Sequence, residues 1–167
     1  LVKVQDAAGN EGPIRTRIAA LDTHAPTASV LGADLSRDSA PNGQSNSDWV
    51  TNAAMQSISG SLSAPLGADE RVYVSLDNGS SWQAAAASTG DSRWHLDNVP
   101  LAASNTLLAK VSDLAGNESA STFSQAYVLD TTAPLAAMAN LAMSADSGDS
   151  SNDLVTQTPL QNLSGTL

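Results

Sequence analysis

The stretch "TLLAKVSDLAGNESASTFSQAYVLD", residues 106–130, is the most informative part of the chain about its fold. In each half, alternate apolar residues share one face of an extended chain: Leu107, Ala109 and Val111, and then Phe123, Tyr127 and Leu129. Such alternation predicts a β-strand with one buried face. The residues Ala115-Gly116-Asn117 between the halves are typical of a turn. The stretch therefore predicts a β-hairpin.

Parts of this pattern occur twice. Residues 6–26, "DAAGNEGPIRTRIAALDTHAP", share an Asp-x-Ala-Gly-Asn loop and an Asp-Thr-x-Ala-Pro ending with residues 113–134. A second block, "SDWVTNAAMQSISGSL" at residues 47–62, matches "NDLVTQTPLQNLSGTL" at residues 152–167. Two matching blocks in the same order indicate an internal repeat.

The repeat has a spacing of roughly 105 residues, which is close to the size of one β-sandwich. We predict the end of one copy at residues 1–22, a complete copy at 23–130 and the beginning of another at 131–167. A lone hairpin or strand pair is marginally stable in water. We therefore expect the partial copies to be completed by neighbouring molecules or by further residues of a longer chain.

The complete copy is predicted to contain about seven strands. Alternating apolar runs are separated by turn signals such as Asp77-Asn78-Gly79, Thr89-Gly90-Asp91 and Asn98-Val99-Pro100. The predicted strands, A to G, lie near Ala28–Ala33, Gln56–Ser63, Arg71–Leu76, Trp82–Ala86, Ser92–Leu96, Thr106–Ser112 and Thr122–Leu129. This pattern predicts an all-β fold, an immunoglobulin-like antiparallel β-sandwich.

The charge of the chain argues against two classes of partner. The formal net charge is −10, from 17 acidic and 7 basic residues. A phosphate backbone or an anionic membrane surface would repel it, so we expect no nucleic-acid partner. No apolar run is long enough to span a bilayer, and we expect no membrane insertion. The chain has no cysteine, which excludes disulfides and thiolate metal sites.

The repeated blocks resemble a known family. The segments "KVSDLAGNES", "YVLDTTAP" and "VTQTPLQNLSGTL" are similar to the tandem bacterial Ig-like repeats of very large, type I-secreted, RTX-type adhesins that act in biofilms and host attachment. The resemblance covers essentially the whole chain, although His24 stands where threonine is usual. It implies a stiff spacer at the bacterial cell surface, with Ca²⁺ bound at many domain junctions.

The acidic residues are themselves consistent with calcium. Only Glu11, Glu70 and Glu118 are glutamates, and the others are aspartates, which favour turns and are frequent calcium ligands. In a sandwich, the F–G turn lies at the end where the preceding linker arrives. We therefore expect Asp113 and Asn117 to face Asp22. The alternative is that Asp113 and Asn117 only close a turn.

A second group of aspartates is expected at the opposite end of the sandwich. The A–B connection carries Asp38 and Asp48 and should lie beside Asp130, where strand G ends. In the partial copies, Asp6 corresponds to Asp113 and Asp153 to Asp48. We predict metal ligands among these eight residues: Asp22, Asp113, Asn117, Asp130, Asp38, Asp48, Asp6 and Asp153. Asp130 as a simple linker cap remains the alternative.

Other motifs are better explained by structure than by chemistry. The stretch "SLDNGSSW", residues 75–82, predicts a tight turn between strands C and D. The imidazoles His24 and His95 lie in a linker and on a strand, so neither suggests a catalytic centre. The pair Asp69-Glu70 is interpreted as a loop entering strand C. The chain is therefore not predicted to be an enzyme.

Two functions remain open. The first is a non-catalytic spacer of a giant extracellular adhesin, whose partners are neighbouring repeats of the same chain and calcium, with the adhesive ligand bound elsewhere. The second is a ligand-binding module that recognises a host glycan or a partner protein. Trp49, Trp82 and Trp94 could stack on a sugar, but unevenly spaced tryptophans are more often packing residues.

Overall fold

Ten β-strands and no helix occur in the residues that the structure describes, 2–39 and 47–167. The structure is a computed structural model. In this part of the chain there is accordingly no helix long and apolar enough to cross a membrane. In chain order the strands are β1 (Val30–Leu35), β2 (Val50–Thr51), β3 (Met55–Leu62), β4 (Glu70–Ser75), β5 (Gln83–Ala84), β6 (Arg93–Pro100), β7 (Asn105–Asp113), β8 (Phe123–Leu129), β9 (Ala139–Met143) and β10 (Leu163–Thr166).

The contacts divide the chain into two units, residues 1–131 and 132–167. The first contains β1 to β8 in two sheets, a three-stranded sheet of order β1-β3-β6 and a five-stranded sheet of order β2-β8-β7-β4-β5. All pairs are antiparallel except β2 with β8. The predicted all-β, Ig-like sandwich is confirmed. The division of the chain into copies of a repeat stays a prediction.

The core of the first unit lies between the two sheets. Its buried strand residues come from both inner faces: Val30, Ala33, Leu35, Ile58, Leu62, Trp94 and Val99 on the smaller sheet, and Val72, Val74, Leu107, Ala109, Val111 and Tyr127 on the larger. The alternation read from strands F and G is confirmed, with Phe123 and Leu129 partly buried against this cluster. The Tyr127 hydroxyl donates to Leu76 O at 2.8 Å, which satisfies its polar end.

The predicted turn at Asn98-Val99-Pro100 is wrong. Strand β6 continues to Pro100, and Asn98 takes a positive φ of 55° inside it. The pairing passes from Ile58 with Leu96 to Gln56 with Val99, so β6 has one more residue than β3 at this point. A β-bulge therefore absorbs the turn-forming asparagine without ending the strand.

Two further details differ from the sequence prediction. Strand D is reduced to the two residues of β5, and beyond it Ala86 exchanges two main-chain hydrogen bonds with His95 on β6, so the chain crosses between the sheets. Strand β2, which was not predicted, pairs Val50 with Val128 and Thr51 with Leu129. Two residues are too few to show a period of two, so sequence alone cannot reveal such a strand.

The remaining segments expose their apolar residues. Residues 2–15 form a hairpin with bridges from Val2 to Arg15 and from Gln5 to Glu11, and its apolar side chains lie in solvent. In the second unit, β9 pairs with β10, and Met138, Leu141 and Leu163 are exposed.

The turn between β4 and β5 is closed by side chains, as the "SLDNGSSW" motif predicts. Asp77 Oδ1 accepts hydrogen bonds from the Ser75 hydroxyl at 2.7 Å and from the Ser81 amide at 2.8 Å, and Oδ2 accepts from the Ser81 hydroxyl at 2.6 Å. Asn78 and Gly79 both take positive φ, which glycine and asparagine tolerate best. Trp82 lies close to Gly79 and beneath Lys110, whose Nζ is 4.3 Å from its ring centroid.

We expect this turn to make stability depend on pH. The hydrogen bonds to Asp77, led by that of the Ser81 side chain, lower its pKa to about 2. A lowered folded-state pKa stabilises the fold above the unfolded pKa of about 4, and this contribution disappears as the pH falls towards 2. Asp77→Asn should therefore lower Tm at pH 6, and the difference from the wild type should shrink between pH 4 and 2. Asp97→Asn is the control, and a difference independent of pH would contradict the prediction.

Candidate metal sites at the ends of the sandwich

The turn between β7 and β8 is closed by a carboxylate and an amide of its own. Asp113 Oδ1 accepts a hydrogen bond from the Asn117 main-chain N–H at 2.9 Å, and Oδ2 accepts from Asn117 Nδ2 at 2.8 Å. The hydrogen bond from the Asn117 side chain is the main reason that the pKa of Asp113 is lowered. Asp113 is therefore ionised at neutral pH, and both of its oxygens already have a donor.

Residues 6–10 form the same turn. Asp6 accepts from the main-chain N–H of Asn10 at 2.9 Å and from Asn10 Nδ2 at 2.8 Å, and the Asn10 side chain is again the main cause of a lowered pKa of Asp6. In both hairpins a lysine pairs with a glutamate across the strands, Lys3 with Glu11 and Lys110 with Glu118. The Asp-x-Ala-Gly-Asn sequence is therefore a self-closing turn.

The same asparagine contacts the linker that precedes the sandwich. Asn117 Nδ2 also donates to the main-chain oxygen of Asp22 at 3.2 Å, as expected from sandwich topology. The Asp22 carboxylate is about half exposed and accepts from the His24 main-chain N–H at 3.0 Å. The structure thus brings Asp22, Asn117 and Asp113 together through one amide.

Sequence analysis missed a second contact to this linker. Glu70, the first residue of β4, is buried, and its Oε1 accepts from the Thr27 N–H at 3.0 Å. Its Oε2 accepts from the Gly67 N–H at 2.8 Å. The interpretation of Asp69-Glu70 as a mere loop is therefore incomplete, because Glu70 ties the start of the first sheet to the loop before β4.

At the opposite end, the A–B connection lies beside the end of β8, as predicted. The Asp130 N–H donates to Thr51 O at 2.9 Å and the Val128 N–H donates to Trp49 O at 2.8 Å. Asp48 Oδ1 accepts from the Val50 N–H at 3.0 Å. Asp153 makes the equivalent contact with the Val155 N–H, also at 3.0 Å.

Asp38 differs from the other candidates because it is buried. Its Oδ2 accepts from the Trp49 N–H at 3.0 Å, while its Oδ1 has no hydrogen-bond partner among the described residues. Asp146, at the equivalent place in the second unit, accepts from the Leu154 N–H at 3.1 Å and likewise has an unpartnered Oδ1. Trp49 and Leu154 both take positive φ.

The ligand atoms at both ends are of the type that calcium prefers, but they do not complete a site. Among residues 2–39 and 47–167, no three His, Cys, Asp or Glu side chains are close enough to hold a metal ion. Calcium takes about six to eight oxygens, from carboxylates, amides, the main chain and water. Each end of the sandwich therefore offers a partial coordination shell, which further main-chain, water or neighbouring-repeat oxygens would have to complete.

Replacing Asn117 with alanine should raise the pKa of Asp113 towards the ordinary value of about 3.9, because it removes the main interaction that lowers it. A carboxyl ¹³C NMR titration measures this directly. Asp6 is an internal control, since its turn uses Asn10 instead. An unchanged pKa at Asp113, or an equal rise at Asp6, would contradict the assignment.

The aromatic and imidazole side chains have packing or surface positions. Trp94 is buried in the core, Trp82 lies beneath Lys110, and Trp49 packs partly against the core. The interpretation of the three tryptophans as packing residues is thereby confirmed. His95 is exposed on β6, as expected, and its Nε2 lies 3.6 Å from Asp97 Oδ2.

A comparison with protein families identifies the sandwich. A family model described as "Bacterial Ig-like domain" matches residues 27–131, which is more than half of the chain. A search of curated proteins gives no match. Ig-like domains of this kind are generally non-enzymatic and typically occur in extracellular or surface proteins. Together with the two-sheet fold, this match shows that the chain belongs to the family of bacterial immunoglobulin-like domains.

Proposed function

We propose that the chain is a non-catalytic spacer segment of a giant bacterial surface adhesin, secreted by the type I route, that supports cell adhesion and biofilm formation. Successive Ig-like repeats of one chain stand end to end, and the adhesive ligand binds elsewhere in the protein. The family, typical of surface proteins, supports this proposal, as do the matching blocks at a spacing of roughly one sandwich.

The observation that carries the proposal is the attachment of the linker to the sandwich. Asn117 holds the main chain at Asp22, and Glu70 holds it at Thr27. A linker fixed at two points loses bending freedom, and a spacer needs that stiffness to hold a tip away from a surface.

Calcium would add to this stiffness. Asp22, Asp113 and Asn117 would hold an ion at the incoming linker, and Asp38, Asp48 and Asp130 would hold one at the other end. Asp6 and Asp153 would have the same role in the partial copies. A bound cation would offset the repulsion between carboxylates that neighbouring repeats bring together. Extracellular calcium modules have dissociation constants of about 10⁻⁴ to 10⁻³ M, so the array would stiffen on reaching the external medium.

Small-angle X-ray scattering tests the calcium proposal on a polypeptide with three consecutive copies of residues 23–130. We expect the maximum dimension to fall when EDTA replaces calcium. Asp113→Asn with Asp130→Asn in every copy should abolish the response, whereas Asp97→Asn, on the exposed face of β6, should leave it intact. A dimension that does not change with EDTA would contradict calcium stiffening, but not the spacer function.

A further inference from the structure

A network of side-chain hydrogen bonds in the A–B connection is built around one buried glutamine. Gln56 Nε2 donates to Arg37 O at 3.0 Å and to Ala53 O at 2.9 Å. Gln56 Oε1 accepts from the Arg37 N–H and the Ser36 hydroxyl, both at 3.0 Å. The Thr51 hydroxyl donates to the same Arg37 oxygen at 2.6 Å. Gln56 thus joins the end of β1 to the beginning of β3.

The second unit repeats this network bond for bond. Gln161 Nε2 donates to Ala145 O at 3.1 Å and to Thr158 O at 3.0 Å. Gln161 Oε1 accepts from the Ala145 N–H at 2.8 Å and the Ser144 hydroxyl at 3.0 Å. The Thr156 hydroxyl donates to Ala145 O at 2.6 Å. The donors and acceptors have the same types and the same order in both units.

The second network uses only atoms of residues 144–162, within a unit that contains two strands. Its geometry is therefore obtained without any counterpart of β4 to β8. Local hydrogen bonds that satisfy buried main-chain groups can fix a connection in this way, because each unmade bond would cost free energy.

The ladder that this network holds presents an apolar face. Met138 and Leu163 are each 68% exposed, whereas their counterparts in the first unit, Val30 and Ile58, are 5% and 0% exposed. In the first unit that face packs on the five-stranded sheet, against Leu107, Ala109, Val111 and Tyr127. The partner that fits the face is therefore the strand C to G part of an Ig-like repeat.

We propose that the A–B segment is a preformed docking module. The glutamine network sets its shape before the rest of the repeat is in place, and its apolar face then receives the five-stranded sheet of the same repeat. This assigns Gln56 and Gln161 the role of positioning residues. The inference goes beyond the spacer function and does not depend on calcium.

Amide hydrogen exchange on the intact 167-residue chain tests the proposal. The amides of Ala145, Thr158 and Asn162 donate to network acceptors and should exchange at least about tenfold more slowly than in an unstructured peptide. Gln161→Ala should remove this protection, and Gln157→Ala, an exposed neighbour, should not. Unprotected amides in the wild type would overturn the proposal, and an effect of EDTA would overturn its independence from calcium.

Substitutions on the apolar face separate shape from docking. Leu163→Asp should leave the protection of Ala145 unchanged, because the network does not need the face to be covered. The equivalent Ile58→Asp should unfold the first unit, where the face is buried. Loss of protection in Leu163→Asp would overturn the proposal. So would concentration-dependent dimers that Leu163→Asp abolishes, since a second copy would then be the occupant of the face.

Discussion

Replacing Gly60 with alanine will lower the free energy of unfolding of the first unit by about 3 kcal/mol, at the upper end of the usual cost of overpacking. A Cβ at this position would lie 2.2 Å from Gly32 O and 2.5 Å from the indole ring of Trp94. Gly32 O belongs to the main chain of β1, and Trp94 is 2% exposed, so neither has room to move. The two sheets would have to separate or Trp94 would have to leave its position.

Gly32→Ala is the matched control. It lies on the neighbouring strand, and a Cβ there would meet nothing within 4 Å. We expect it to change stability by less than about 1 kcal/mol. Thermal and urea unfolding of both variants give the comparison, and the Gly60 variant should melt on the order of 10 °C lower than the wild type. Equal effects of the two substitutions would contradict a steric cause.

The sequence was most informative where the period of two is long and unbroken. Strands β7 and β8 were predicted within one or two residues, and Leu107, Ala109 and Val111 are all fully buried. The prediction failed where tertiary pairing decides the conformation. Asn98 signals a turn locally, yet the pairing of β6 with β3 turns it into a bulge.

The candidate sites were predicted unevenly. Topology alone placed Asn117 beside Asp22 and Asp130 beside the A–B connection, because the ends of strands in a sandwich have fixed neighbours. The part of Glu70 at the linker could not be predicted, since its partner Thr27 lies 43 residues away. Gln56 left a signal that composition hides, because the aligned blocks have glutamine at 56 and at 161 beside apolar residues.

Removing the Gln56 side chain with Gln56→Ala should destabilise the first unit by about 3 kcal/mol. Gln56 is 2% exposed, and its loss would leave the Arg37 N–H and the carbonyl of Ala53 without their side-chain partner in a place that water does not reach. Each unsatisfied buried polar group costs about 1 to 3 kcal/mol, and a cavity adds to this. Urea unfolding followed by tryptophan fluorescence measures the change.

Gln83→Ala is the control, because Gln83 is exposed on the two-residue edge strand β5 and should change stability by no more than about 0.5 kcal/mol. Gln56→Glu makes the test sharper. Glutamate keeps the oxygen that accepts from the Arg37 N–H, but it places a second oxygen against Arg37 O and Ala53 O, where the amide donated. It should therefore destabilise the unit at least as much as alanine does at pH 7. A glutamate variant as stable as the wild type would mean that the Gln56 amide hydrogens do not hold this connection.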